Sequence, residues 1–329
     1  MDVDDLIGAK LVVGFPGPQA TEELIAVLRA THAQSLIVFE QNFVLPEQFT
    51  GLLRRLEGAV GRRLLVMVDH EGGRVVRFSS GVTRFPDART VGASHDAAAV
   101  ERQGGIEAQE LVRLGVRVNL APCVDVVADG SDPVIGDRSY GHDPARVAEL
   151  AAARIRGLQS HGVAACAKHF PGLGAVPRDP HRELPTITLG WDQMERVHLG
   201  PFRAATEAGV AMVMSSHVCY PALGDPPGLP ATFSSRLIGK LLRKRMGFSG
   251  LILTDDLEMG ALRALGTIGE AAVRATAAGH DLLLICSDLS HTRAAFLSLR
   301  KAYDDKKLNR SELEESAARL SRLRQKFSL

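Results

Sequence analysis

Carboxylates, imidazoles and cations gather in this chain at the ends of short apolar runs. Asp69-His70-Glu71-Gly72-Gly73-Arg74 follows Leu64–Val68, and Ala121-Pro122-Cys123-Val124-Asp125 follows Val116–Leu120. Lys168-His169-Phe170-Pro171-Gly172-Leu173-Gly174 follows Val163–Ala167. Ser215-Ser216-His217 follows Ala211–Met214, and Thr254-Asp255-Asp256 follows Leu251–Leu253. Consecutive run ends that all deliver ionisable or polar groups describe one rim. A purely structural protein has little use for such convergence. It argues for an enzyme without saying which.

Each group has a chemical and a bland reading. Asp255 and Asp256 are adjacent at a strand end, so side-chain alternation lets only one point inward. One acid would serve as nucleophile or base and the other as anchor. The bland alternative is that both cap the next helix. Asp179 and His181 flank Pro180, and proline biases the residue before it toward an extended conformation. In an extended segment residues two apart share a side, so the carboxylate can fix the imidazole tautomer and stabilise its protonated form. That suits a general acid/base; the alternative is a solvated loop pair. The loop from Pro171 to Pro185 is long for a barrel connection, as lids and site loops often are. Lys168 and His169 suit a carboxylate, a phosphate or sugar hydroxyls, or else an ion pair within the rim. Gly72-Gly73 allows close backbone approach to a ligand, or is a bare turn. Arg243-Lys244-Arg245 reads as a solvated helix face.

The elements that must position these groups follow from periodicity. Eight buried-looking runs recur: Lys10–Phe15, Ser35–Phe39, Leu64–Val68, Val116–Leu120, Val163–Ala167, Ala211–Met214, Leu251–Leu253 and Asp281–Cys286. Most are continuously apolar, as strands covered on both faces are. Helical stretches lie between many of them. Pro46 to Val60 opens on proline, Asp96 to Leu114 runs from a capping Asp to Gly115, and Arg146 to Gln159 ends before Gly162. Gly104-Gly105 sits awkwardly inside the second of these. Ser234 to Arg245 starts on a capping Ser, and Ile268 to Ala278 ends at Gly279. Strand and helix alternating eight times predicts an α/β fold, a single-domain (β/α)8 TIM-type barrel over residues 1–329. An open doubly wound sheet is the runner-up. Asn309 to Phe327 reads as a terminal helix packed on the outside.

Composition narrows the partners. Lys and Arg number 39 against 38 Asp and Glu, so charge gives no reason to expect nucleic acid. Cys123, Cys166, Cys219 and Cys286 are well separated and sit in or beside apolar runs, which predicts buried free thiols in a reducing compartment. The acidic start, Met-Asp-Val-Asp-Asp, is unlike a signal peptide, and no apolar run is long enough to span a bilayer. A cytoplasmic protein with no membrane partner is the expectation.

Lys168-His169-Phe170-Pro171-Gly172 followed by Asp179-Pro180-His181 resembles the signature of glycoside hydrolase family 3, in its bacterial β-N-acetylhexosaminidase branch. Val68 to Val75, Asn119 to Val126, Gly136 to Ser139 and Leu253 to Met259 look like the family's other blocks, in the family's order. The resemblance covers roughly residues 10 to 290. It implies a retaining exo-β-N-acetylglucosaminidase with Asp255 as nucleophile and His181 as acid/base, partnered by Asp179. It also implies that Asp69, Arg77, Arg138, Lys168 and His169 bind the sugar, that no metal or cofactor is needed, and that peptidoglycan fragments such as GlcNAc-anhydroMurNAc muropeptides are the substrates of a monomer. Two positions depart from the usual pattern. Leu173 replaces the second His of Lys-His-Phe-Pro-Gly-His-Gly, and Pro180 stands where Ser or Thr is common. The chain is expected to lack the second domain found in many members. A β-glucosidase or xylosidase, a β-GlcNAc phosphorylase and a non-catalytic sugar-binding protein are the alternatives.

Overall fold

The apolar runs become strands because residues without polar side chains tolerate burial on both faces of a sheet. In a computed structural model describing residues 2–94, 96–131 and 134–328, they are β1 (Leu11–Val13), β2 (Ser35–Val38), β3 (Leu65–Val68) and β4 (Val118–Asn119), then β5 (Ala164–Phe170), β6 (Met212–Ser215), β7 (Leu251–Asp256) and β8 (Leu282–Ile285). All pair in parallel and in chain order, and β8 returns to β1 to close the barrel. Closure settles the choice against the open sheet. Lys10 is not in a strand; it ends a helix, Val3–Lys10.

Alternation divides the core in two. Ile37, Leu65, Met67, Leu251, Leu253 and Leu282 fill the barrel interior. Leu36, Val38, Val66, Val68 and Ile252 face the surrounding helices. Helices Pro46–Val60, Ala97–Arg113, Pro144–Ser160 and Ile268–Ala278 fall where periodicity puts them. Asp96 caps the second through Ala99 N–H at 2.8 Å. The helix of Arg236–Arg245 departs from the expected α form: Lys240 N–H donates to Ser235 O and Met246 N–H to Leu241 O, both i to i+5. The Ser234 hydroxyl still accepts from Leu237 N–H at 3.0 Å.

The glycines of Ala97–Arg113 have a packing reason. A Cβ on Gly104 would lie 2.9 Å from Arg154 O, and one on the facing Gly157 only 2.1 Å from Glu101 O. Two helix backbones meet there. Gly72 and Gly73 are likewise packing residues, with φ of 104° and 55° and would-be Cβ atoms 2.7 Å from Pro86 O and 2.6 Å from Asp87.

Two further expectations are corrected. The terminal helix, Arg310–Lys326, does not lie on the outside of the helical ring. Leu320, Leu323 and the following Phe327 join the interior cluster, because the open N-terminal end of a filled barrel exposes apolar side chains that need a cover. Arg243 is not solvated. It donates to Phe248 O and Gly250 O and pairs with Asp281 at 2.6 Å, tying its helix to the base of β8. All four cysteines are buried and free, as expected. No helix among the described residues is long and apolar enough to cross a membrane.

The helix contact yields a stability test. Gly157→Ala should lose about 2–3 kcal/mol in urea unfolding, the cost of overpacking a tight contact. Gly58→Ala, in a helix with open space around it, should gain roughly 0.5–1 kcal/mol. Equal behaviour of the two would show that the helices do not depend on the close approach.

Candidate active site

Inward-pointing positions stay apolar along the strands and turn polar at the C-terminal ends of β3, β5 and β7, where a cavity of about 840 Å³ opens. On β7 the inward set is Leu251, Leu253 and then Asp255. Asp255 lines the cavity and is only partly exposed. Burial would raise its pKa, but the imidazoles of His169 and His217 and the Asp256 N–H outweigh this, so it stays below the usual carboxylate value. Its neighbour behaves oppositely. Asp256 Oδ1 accepts from Glu258 N–H and Cys286 N–H, at 3.1 and 3.3 Å. Burial, with Glu258 and Asp255 nearby, pushes Asp256 up to about 7. One acid is an ionised group facing the cavity; the other anchors the strand end.

The facing wall is a chain of alternating charges. Lys168 Nζ, fully buried, lies 2.6 Å from Asp69 Oδ1 and 2.7 Å from Glu71 Oε1. Glu71 also receives a two-pronged contact from Arg138, at 2.9 and 2.8 Å. Burial alone would raise the Glu71 carboxyl; Arg138 and Lys168 hold it far below its ordinary value. Arg77 lines the same cavity, its guanidinium 5.6 Å from the Phe39 ring centre. Both Lys168 and His169 reach the cavity, although strict alternation allows one. The β5–β6 register shifts between Ala167 and Phe170, and the Lys168–His169 peptide is cis.

Behind His169 lies Asp125. Its Oδ2 meets His169 Nδ1 at 2.7 Å and His169 N–H at 3.1 Å, and its Oδ1 accepts from Leu173 N–H at 2.6 Å. Leu173 is buried and lines the cavity, so its backbone, not its side chain, supports the turn. Cys123, Asp125 and His169 form the one cluster among the described residues whose ligand atoms could surround a metal, within 4.8 Å of one another. These atoms already satisfy each other by hydrogen bonds, with Cys123 Sγ donating to Asp125 at 3.3 Å. Burial and Asp125 push that thiol well up, so the group reads as a proton-sharing support for His169.

Asp179 and His181 meet as expected, but through a turn and not an extended segment. Asp179 O accepts from Arg182 N–H, while its Oδ1 accepts from His181 N–H at 2.9 Å and contacts His181 Nδ1 at 2.6 Å. With Nδ1 occupied, Nε2 remains for proton transfer. His181 lines the cavity at its exposed edge, and Asp179 stands behind it. The loop docks on the segment after β7: Gly260 N–H donates to His181 O and Ala261 N–H to Pro180 O, each at 3.1 Å. A Cβ on Gly260 would sit 2.5 Å from His181 O, so glycine permits the contact.

The structure therefore brings Asp255, His181, Asp69, Arg77, Arg138, Lys168 and His169 to one cavity. Met214 of β6 also lines that cavity, but the polar residues that follow it do not. Ser215 bonds His280, Ser216 bonds Tyr220, and His217 Nε2 donates to Asp256 O at 2.8 Å. Glu71 and Asp125 were missed, although Glu71 shares the inward parity of Asp69 two residues earlier.

Comparisons with known proteins establish the family. The sequence profile described as "Glycosyl hydrolase family 3 N terminal domain" matches residues 3–323, and the chain belongs to that family. Curated relatives at 34–39% identity carry the name beta-hexosaminidase. One, from Nitrosomonas eutropha, is 39% identical over 284 residues, covering 84% of this chain and 80% of its own. A glycoside hydrolase family 3 β-N-acetylglucosaminidase from Paenibacillus superimposes with a TM-score of 0.97 at 36% identity. The match covers 100% of this chain and 63% of that longer one. NagZ from Neisseria gonorrhoeae, solved with N-trifluoroacetyl-D-glucosamine, matches with a TM-score of 0.82 at 32% identity, over 95% of this chain and 89% of its own.

The two aspartates generate a test. Asp256 holds a proton more tightly folded than unfolded, so between pH 3.8 and about 7 the folded chain binds more protons and stability falls as pH rises. Asp256→Asn keeps the Oδ1 acceptor and removes the titration. Its stability relative to wild type should rise by roughly 2–3 kcal/mol between pH 5 and pH 8 in denaturant unfolding. A pH-independent difference would show that the Asp256 carboxyl is not raised.

Proposed function

We propose that this chain is a retaining exo-β-N-acetylglucosaminidase. The observation that carries the reading is an ionised, half-buried Asp255 sharing a cavity with His181, whose Nδ1 is held by Asp179. In the first step Asp255 attacks C1 while His181 Nε2–H gives its proton to the glycosidic oxygen. The C1–O bond breaks, the alcohol leaves, and a glycosyl ester on Asp255 remains. In the second step neutral His181 takes a proton from water, the water oxygen attacks C1, and Asp255 departs as carboxylate. Two inversions give net retention.

Asp69, Arg77, Arg138, Lys168 and His169 act on this reading as the wall that binds the sugar hydroxyls. N-acetylglucosamine as the glycone is supported by the names of the relatives and by the amino sugar bound to the gonococcal protein. Muropeptides as natural substrates extend it, and the cavity edge at Glu40, Gln41 and Arg74 leaves room for a second sugar. A cytoplasmic location fits four free, buried thiols.

Turnover of an aryl β-GlcNAc tests the proposal. Asp255→Ala should lose activity by about three orders of magnitude or more with its circular dichroism unchanged. Retained hydrolysis in that variant sinks the assignment. Sugar-1-phosphate in phosphate buffer, in place of free sugar, makes phosphate the acceptor. An aryl glucoside turned over equally well removes the N-acetyl preference.

His181→Ala should slow glycosides with poor leaving groups by roughly 10²–10⁴ and activated aryl glycosides much less. Equal losses on both classes would rule out a proton donor at this position.

A further inference from the structure

Glu71 is a carboxylate on the sugar-facing wall that the mechanism does not use. Its side chain is 6% exposed, and its backbone N–H is pinned to Val75 O at 2.8 Å. It touches both Lys168 and Arg138, two cations that converge from the end of β5 and from the loop after β4. Together Asp69, Lys168, Glu71 and Arg138 sum to zero charge.

Without Glu71 the same wall keeps Arg138, Lys168 and a single carboxylate, Asp69, and carries a net positive charge in a sheltered cleft. Planar guanidinium and ammonium donors so placed are what proteins use to bind phosphate, sulfate and carboxylate. With Glu71 present, an anion entering the wall meets Glu71, Asp69 and Asp255 at close quarters, where like charges repel strongly. Hydroxyls suffer no such penalty and can still take hydrogen bonds from the cations.

The geometry points to Glu71 as a positioning and specificity-determining residue that makes this wall select a neutral glycone and reject an anionic one. It holds Arg138 and Lys168 as one rigid fork of donors and cancels the charge that would otherwise capture an anion. The inference rests on the proposed reading that this wall binds the sugar.

The test uses steady-state kinetics on an aryl β-GlcNAc with sodium sulfate titrated against chloride at constant ionic strength. Wild type, Glu71→Gln and the double variant Glu71→Gln/Arg138→Gln are compared. In Glu71→Gln, KM should rise about tenfold or more, the size of losing a hydrogen bond to a charged group, while kcat falls less than threefold. Sulfate should inhibit this variant competitively at about a tenth of the concentration needed for wild type. The double variant, neutral again, should lose that sensitivity. Sulfate inhibition unchanged in Glu71→Gln, or kcat falling as far as KM rises, overturns the inference. If Glu71→Gln does not fold, sulfate sensitivity in the double variant overturns it and its absence supports it. If neither folds, the carboxylate is a folding requirement and the inference falls. Wild-type turnover of the aryl β-GlcNAc separates the two claims: its absence defeats the substrate reading, whereas its presence with a sulfate-insensitive Glu71→Gln defeats only the role of Glu71.

Discussion

A buried ammonium organises the mouth of this barrel. Lys168 sits at the end of β5 with 2% of its side chain exposed. Removing such a charge from water costs several kcal/mol unless carboxylates meet it with good geometry. Asp69 and Glu71, both from the segment after β3, supply that geometry, and Glu71 passes the constraint on to Arg138. Two loops and the end of β5 are thereby registered against one another. The wall opposite Asp255 is held in place because its charged groups pair with one another.

The architecture was legible because a parallel barrel imposes a strong pattern. Strands buried on both faces must be apolar, and each run ends where polar groups can meet solvent. β1 to β8 lie on the eight runs. Helices such as Val3–Lys10 and Glu22–Ala30 went unread because they are short and open on acidic residues that resemble loop composition. Terminal helix Arg310–Lys326 was found but misplaced. Its apolar positions are those of any amphipathic helix, and nothing in them distinguishes the barrel's base from its flank. Arg243 shows the same limit: in a basic run it looks solvated, and only the fold brings Asp281 to it.

The site was legible in part. Parity along β7 selects Asp255 as the inward acid once Leu251 and Leu253 are known to face inward, which the sequence alone did not reveal. Glu71 was readable in principle by the same parity from Asp69. Asp125 was not, because its task is to receive His169 and Leu173 from a turn 44 and 48 residues away. The end of β6 shows the converse. Its polar residues look like a site and serve instead as struts, with His217 holding the Asp256 carbonyl.

The docking of the His181 loop has a mechanical consequence. Its tip, residues 181–183, is exposed, so burial does not hold it. What holds it is a latch of two backbone hydrogen bonds to Gly260 and Ala261. Such a pair is worth about 1–3 kcal/mol net. Water can satisfy the freed groups, but release would also uncover the buried Pro180. The His181 imidazole, held by Asp179, is thus fastened to the segment that follows Asp255, so a shift of that segment would carry the imidazole with it.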